Sequence, residues 1–437
     1  MGQALEQQHS VYLEEFERRA GERSSEPAWL SKRRQAAIER FERLGFPTRR
    51  QEAWRNANMH VLGQQHFVLA QSGGTVGSSA LAVADAIRLV FVDGRFDSAA
   101  SALGDLPQGV SIQRLAEAWG DPLLEQYLDR QLDAEHPFAA LNTAFAADGV
   151  VVHLKAGAVL ERPIVLDFAR SETAGQAAYP RLLVVAEDNA EARLVEHYRG
   201  PADTMYLTCP VTELVIGANA GLEWYKIQEE GDAAFHISCV AVDVARDGRF
   251  NGNSVASGGQ FARTEVFLRL NGEGADAELN GLYLTGDGQY SDHHTWVEHR
   301  VGHCASRQRF KGVLDGKSEA VYDGLVNVAV GAAKTDAQQE NRNLLLSKRA
   351  LAHSNPRLEI FTDDVKAAHG STVGELDRDA LFYLRSRGIG QADAQGLMTY
   401  AFAAEQLEPI RVSAVRDYVR ELLFARLPGD ETVREMV

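Results

Sequence analysis

The sequence predicts a mainly β protein in which a β-helix core is flanked by α-helical regions at its N- and C-terminal ends. Three patterns carry that expectation. A polar or glycine turn, a small-residue step and a new strand recur at Asn189, Asn219, Asp247, Gly274 and Gly302, at intervals of 30, 28, 27 and 28 residues. From Ile87 onward, short runs rich in β-branched residues, such as Val150–Leu154 and Leu182–Ala186, alternate with Gly, Asp and Asn. Towards the two ends, apolar residues fall at helical spacing instead.

The near-constant interval decides among repeat folds. A propeller blade needs about 40 residues and four strands, and a sandwich needs no fixed interval. A β-helix does need one, because each coil returns to the same place one strand spacing, about 4.8 Å, above the last.

Taken in order, Ala37, Ile38, Phe41 and Leu44 mark an amphipathic helix stopped by Gly45 and Pro47, with an earlier helix over Tyr12 and Phe16. Residues 61–84 are rich in Gly, Ser and Ala, including Gly73-Gly74 and Gly77-Ser78-Ser79, and read as a flexible connector closing an N-terminal region of 1–86. Residues 87–370 form the β-rich region, with the β-helix from about 147. Residues 371–437 return to helix. Asp377 is placed to cap a helix through Leu381, Phe382 and Leu384 that Gly388 ends. Ala394, Leu397, Met398, Ala401 and Phe402 stripe a second helix. Val415, Tyr418, Val419, Leu422 and Leu423 stripe a third, capped near Ser413, and the three are expected around one short core.

The chain has 437 residues, 45% of them apolar, with 45 Lys and Arg against 61 Asp and Glu and a formal charge of −16. Such a balance repels phosphate backbones and anionic lipid, so neither nucleic acid nor a membrane surface is an expected partner. The two ends are near neutral, with 11 basic and 9 acidic residues in 1–60 and 8 and 11 in 371–437, so the β-rich middle carries −15. Three scattered cysteines, Cys209, Cys239 and Cys304, suggest a reducing compartment. With no secretory leader and no run of about 18 apolar residues, the expectation is a cytoplasmic protein.

Enzymatic motifs are missing. Lys311-Gly312 through Gly316-Lys317-Ser318 comes near a phosphate-binding loop, but three residues separate its glycines where four are needed, and it lies between strands. Asp315-Gly316 reads as a strand-to-strand turn, and no nucleotide is expected on this chain. His293, His294, His299, His303 and Cys304 crowd together in sequence. Along a strand, however, His293 and His299 stand roughly 20 Å apart, too far to share an ion. His369, in Asp363-Asp364-Val-Lys-Ala-Ala-His369-Gly370, is placed where β texture gives way to helix, and a neutral imidazole is a suitable iron ligand.

The run Pro356–Ile389, PRLEIFTDDVKAAHGSTVGELDRDALFYLRSRGI, resembles the SufD branch of the SufB/SufD family of the SUF iron-sulfur cluster assembly system. Gly45-Phe-Pro-Thr48, Glu52-Ala-Trp54, Glu298–Gln308, Lys334–Gln338 and Asn341–Leu345 extend the resemblance along the chain. It implies a right-handed parallel β-helix between helical ends, and a non-catalytic scaffold rather than an enzyme. It also implies pairing with a SufB-like paralogue through the β-helix ends, docking of a SufC-like ABC ATPase on the C-terminal helices, and homodimers when the chain is alone. The family's cluster-site histidine falls on His369, which is therefore expected to hold transient iron or a nascent cluster shared with the SufB-like partner. Cys304 and His299 are secondary candidates. Asp377, Phe382, Tyr383, Arg385 and Arg387 are the expected ATPase contacts. The chain departs from some relatives in having Ala367 where they have Cys. Two other readings stand beside this one: a carbohydrate-active, lyase-like β-helix enzyme, and a tether in which His369 does nothing.

Overall fold

The computed structural model describes residues 11–436 apart from 25, 58, 71–73, 131, 133 and 134, so Gly73 of the connector lies outside the described residues. A hairpin, β1 (Ile87–Val92) and β2 (Arg95–Ala102), precedes β3 (Val110–Arg114) and the helix Pro137–Phe145. The chain then winds through eight coils of two strands each. These are β4 (Gly149–Leu154) and β5 (Ile164–Ala169), β6 (Arg181–Ala186) and β7 (Glu191–Arg199), β8 (Val211–Ile216) and β9 (Gly221–Glu229), and β10 (Phe235–Val244) and β11 (Arg249–Ala256). There follow β12 (Phe261–Leu270) and β13 (Asp276–Thr285), β14 (Tyr290–His299) and β15 (Ala305–Leu314), β16 (Glu319–Val328) and β17 (Asp336–Leu345), and β18 (Leu351–Ile360) and β19 (Lys366–Gly374).

From β4 onward even-numbered strands stack in one parallel sheet and odd-numbered strands in another, so the fold is the parallel β-helix that the sequence predicts. Inner faces meet in one core that takes Val242, Leu268 and Val297 from the first sheet and Leu222, Leu279 and Leu314 from the second.

The repeat read from the sequence is the corner between the two sheets. Asn189, Asn219, Asp247, Gly274, His303, Lys334 and Asp364 all have positive φ, and each stands two residues before an odd-numbered strand. Asn, Asp and Gly tolerate this left-handed conformation best, which is why the corners were visible. The corners also lock to one another: the Asn189 amide donates to the Ala218 carbonyl, Asn219 to Arg246, Asp247 to Glu273, and His303 to Ala333. In the sixth coil the left-handed residue is His303, one beyond Gly302. Asp315-Gly316 is a turn between β15 and β16, as expected.

The helices cover the outer faces. Residues 11–18 and Ala28–Leu44 are helical, and Gly45 (φ 64°) ends the second with its amide on the Phe41 carbonyl. Tyr12, Phe16, Phe41 and Phe46 pack edge to face with each other or with Phe145 and join Phe235 and Phe261 of the first sheet. Trp54 lies over the guanidinium of the wholly buried Arg263, 3.7 Å from its ring centre, while Arg263 pairs with Glu265 and Asp292. The described part of the connector is anchored: the Gly74 amide donates to Asp93 at 3.0 Å, and Leu81 is buried against the second sheet.

At the other end, α1 (Arg378–Ser386), α2 (Gln391–Ala404), α3 (Ser413–Phe424) and α4 (Asp430–Met436) do not close around a core of their own. Leu407, Val415, Val419 and Leu423 pack on Val195, Ile227, Val255 and Leu282 of the outer second sheet. Lys311 Nζ reaches the Phe402 carbonyl at 2.7 Å, and the Arg411 amide donates to Tyr225 Oη at 3.2 Å. On α2 the buried positions are Ala394, Gly396, Thr399 and Ala403; the predicted stripe of Leu397, Met398 and Phe402 is half-buried and Ala401 is exposed. Small residues win there because α4 and its approach pass close, the Pro428 carbonyl lying against Gly396. Helix α1 alone buries no residue.

Candidate functional site

The coil differs at its two ends. At the first, β3 runs antiparallel to β4 and β2 antiparallel to β1, so the parallel ladders stop against reversed strands. At the last, among the described residues, β18 pairs only with β16 and β19 only with β17, leaving two strand edges without a partner. Unpaired edges are templates for another chain. Apolar side chains surround them: Leu351 is 55% exposed, and Ile360, Phe361 and Val373 are exposed as well.

His369 lies in the middle of β19, in register with Gln339 of β17. The strand continues beyond it to Gly374, so His369 is a strand residue and not a junction residue; Thr372 and Val373 favour the extended continuation. Its neighbours fix its direction. Ala367 packs on the inner core, and Ser371 Oγ donates to Ser354 Oγ at 2.7 Å across the mouth of the coil. By strand alternation His369 shares that inner face. It is exposed because no further coil covers it, and its side chain has no hydrogen bond to the described residues.

Cys304 and His299 are elsewhere. Cys304 is buried at a corner with its thiol 3.2 Å from the Gly272 carbonyl, and burial pushes its pKa up, so it is held as the thiol. His299 faces inward, its Nε2 2.8 Å from Ser306 Oγ, and burial lowers its pKa to about 4, leaving it neutral. Both belong to the coil of β14 and β15, two strand spacings, about 10 Å, below β19. Cys304 is also about 13 Å back along the strand direction from His369. The three residues do not converge. Among the described residues, no group of three His, Cys, Asp or Glu side chains is placed to hold one metal ion. In the histidine-rich segment, His293 and His299 face inward and are buried, His294 faces outward 3.0 Å from Asp292, and His303 is an exposed corner.

The second exposed feature is α1. Asp377 caps it, Oδ1 accepting from the amides of Asp379 at 2.8 Å and Ala380 at 3.2 Å. Phe382 is 72% and Tyr383 57% exposed, and Arg387 donates to Tyr383 Oη at 3.2 Å from a position beside that ring. Arg385 stands in the last turn. Asp377 thus shapes the helix, and Phe382, Tyr383, Arg385 and Arg387 form its free surface. An exposed aromatic pair flanked by arginines has the composition of a binding hot spot.

Sequence reasoning missed Gln339, Ser354 and Ser371 around His369. Nothing in their local sequence signals the site, because only the register of the stacked coils brings them together.

Residues 168–402 match the family model described as SUF system FeS cluster assembly, SufBD core domain, and residues 5–166 match the SufBD protein N-terminal region. The chain is 34% identical to the iron-sulfur cluster assembly protein SufD of Escherichia coli (strain K12), over 98% of this chain and 97% of the relative. It is 32% identical to an iron-sulfur cluster assembly SufBD family protein of Synechocystis sp., over 92% of each, and 26% identical to SufD of Bacillus subtilis (strain 168), over 93% and 94%. No helix of the described residues is long and apolar enough to cross a membrane.

Proposed function

The chain belongs to the SufBD family of the SUF iron-sulfur cluster assembly system, on its SufD side, and from that premise we propose that it is a non-catalytic scaffold supplying half of a shared assembly site. The observation that carries this reading is the position of His369, exposed on the last strand of an open coil, whose outer edge has no partner among the described residues. A SufB-like paralogue would add strands to β18 and β19, bringing a thiolate of its own beside the imidazole. Iron and sulfide, the cargo, would meet there. A neutral nitrogen ligand suits a transient role, since it holds iron less permanently than a thiolate.

The exposed face of α1 supports the second half of the proposal, docking of a SufC-like ABC ATPase through Phe382, Tyr383, Arg385 and Arg387. Helices α2 to α4 are packed on the second sheet, so a pull on α1 would be passed to the coil as a whole. ATP-driven approach of two such ATPases then provides two states that differ in contacts, which is what a conformational switch requires.

The test is His369→Ala in the reconstituted complex of this chain with SufB-like and SufC-like partners. Cluster yield should fall while ATPase docking is retained. Unchanged yield overturns the role of His369 and leaves the chain as a tether.

A further inference from the structure

The inner face of the coil is apolar on one side and polar on the other. Along the first sheet, Val242, Leu268, Val297, Val326 and Leu358 stand in register on successive strands. Four residues earlier on each strand the corresponding ladder is Ser238, Thr264, His293, Tyr322 and Ser354. Facing it from the second sheet are Lys226, whose Nζ donates to Thr264 Oγ1 at 2.7 Å, and Gln308, whose Oε1 accepts from Tyr322 Oη at 3.4 Å. Gln339 then leads to His369 by register. The ladder ends where Ser354 joins Ser371 at the mouth.

Several atoms of this polar side have no partner although they are buried. Both ring nitrogens of His293, which is 2% exposed, are unpaired among the described residues, as are Ser291 Oγ, Gln228 Oε1, Gln308 Nε2 and His236 Nε2. All are on inward-facing positions of the coil. Folded proteins leave few such groups dry, and buried water with two to four polar partners is the usual answer. The deep end also holds ionisable groups that the assembly role does not use. Glu196 and Glu230 lie near Lys226, and His236 Nδ1 is 2.7 Å from Glu230. Burial lowers Lys226 to about 8 and His293 to about 3.

We propose that the inner space of the coil is hydrated: a file of ordered water runs along the Thr264–His293–Tyr322–Ser354 ladder, from the buried Lys226 to the open mouth at His369. The significance for assembly rests on the reading of His369 given above; the hydration itself does not. When a partner chain covers the mouth, the inner side of the site keeps contact with water that need not cross the interface.

Hydroxyl-radical footprinting by X-ray radiolysis of the full-length chain, read by mass spectrometry, tests this. Tyr283 and Tyr322 line the inner space, whereas Tyr12 and Tyr179 are equally buried in the N-terminal aromatic cluster. Radicals form from the water beside a side chain, so Tyr322 and Tyr283 should be labelled about fivefold faster or more than Tyr12 and Tyr179. Equal rates overturn the proposal. Gln339→Leu, which places an apolar side chain behind His369, should slow labelling of Tyr322; an unchanged rate overturns the assignment of the mouth. If that variant does not fold, Ser354→Val serves in its place. No cluster is assembled in these measurements, so their failure is separable from failure of the His369→Ala test.

Discussion

The first and last coils are built from the same two-strand unit, yet one is closed and the other is not. At the first, reversed strands and the stacked pair Phe91 and Phe168, 5.2 Å apart, finish the core. At the last, two strands of ten and nine residues present edges that are free among the described residues, and exposed apolar side chains. Solenoids ordinarily require capping at both ends. An uncapped end is what the edge-to-edge partner proposed above would require.

The largest expected effect falls on the closed end. Phe91→Ala removes a fully buried ring from the cap and should cost about 3–5 kcal/mol in chemical denaturation, whereas Leu351→Ala at the open end should cost the isolated chain less than about 0.5 kcal/mol. A similar loss at both would erase the contrast.

Acid should strain the buried interior next. Burial holds His236 at about 4 and His293 at about 3, against about 6.5 when unfolded, so both are neutral in the native protein. Their depressed values mean that the unfolded chain binds more protons below pH 6.5. Native stability is therefore full above pH 6.5 and is lost as pH falls towards 4 and 3. The slope is at most about 1.4 kcal/mol per pH unit for each histidine. Urea midpoints measured from pH 7 to pH 4 check this, and a His293→Leu chain should show the shallower slope.

Blocking the open edge should act on association rather than folding. The Lys366 amide bonds inward to the Thr335 carbonyl, so by alternation the Val373 amide points to the free side of β19. Val373→Pro should weaken pairing with a SufB-like partner by roughly tenfold or more, about 1.4 kcal/mol, with thermal stability nearly unchanged. Retained pairing in analytical ultracentrifugation would show that the partner sits elsewhere. Smallest in folding terms is Phe382→Ala, expected within about 0.5 kcal/mol of the parent in stability but deficient in ATPase capture.

How much of this was legible in the sequence follows from which forces are local. The corners at Asn189, Asn219, Asp247 and Gly274 were, because left-handed φ selects Asn, Asp and Gly, whereas His303 was displaced by one residue and Lys334 and Asp364 were not read as corners. The end of Ala28–Leu44 at Gly45 was legible for the same reason, and the cap at Asp377 because its side chain bonds the amides just after it. His369 was found through the family motif, and its strand was cut short because Gly370 and Gly374 weaken a β reading that pairing with β17 restores. The stripe on α2 misled, since Leu397 and Phe402 look like core but the close approach at Gly396 turns the helix. The docking of the C-terminal helices on the second sheet, the anchoring of Leu81 and the polar ladder behind His369 all depend on contacts between distant residues. No local pattern announces those.

The reversed strands at the first coil have a further consequence. Molecules that join edge to edge through parallel ladders risk adding without limit, as fibres do. Here the ladders at one end stop against reversed strands, so two molecules meeting through their last coils would have no second parallel ladder to offer. In the pairing proposed above, association would then halt at a pair, with the hairpin Ile87–Ala102 as the terminator of a polymer that never begins.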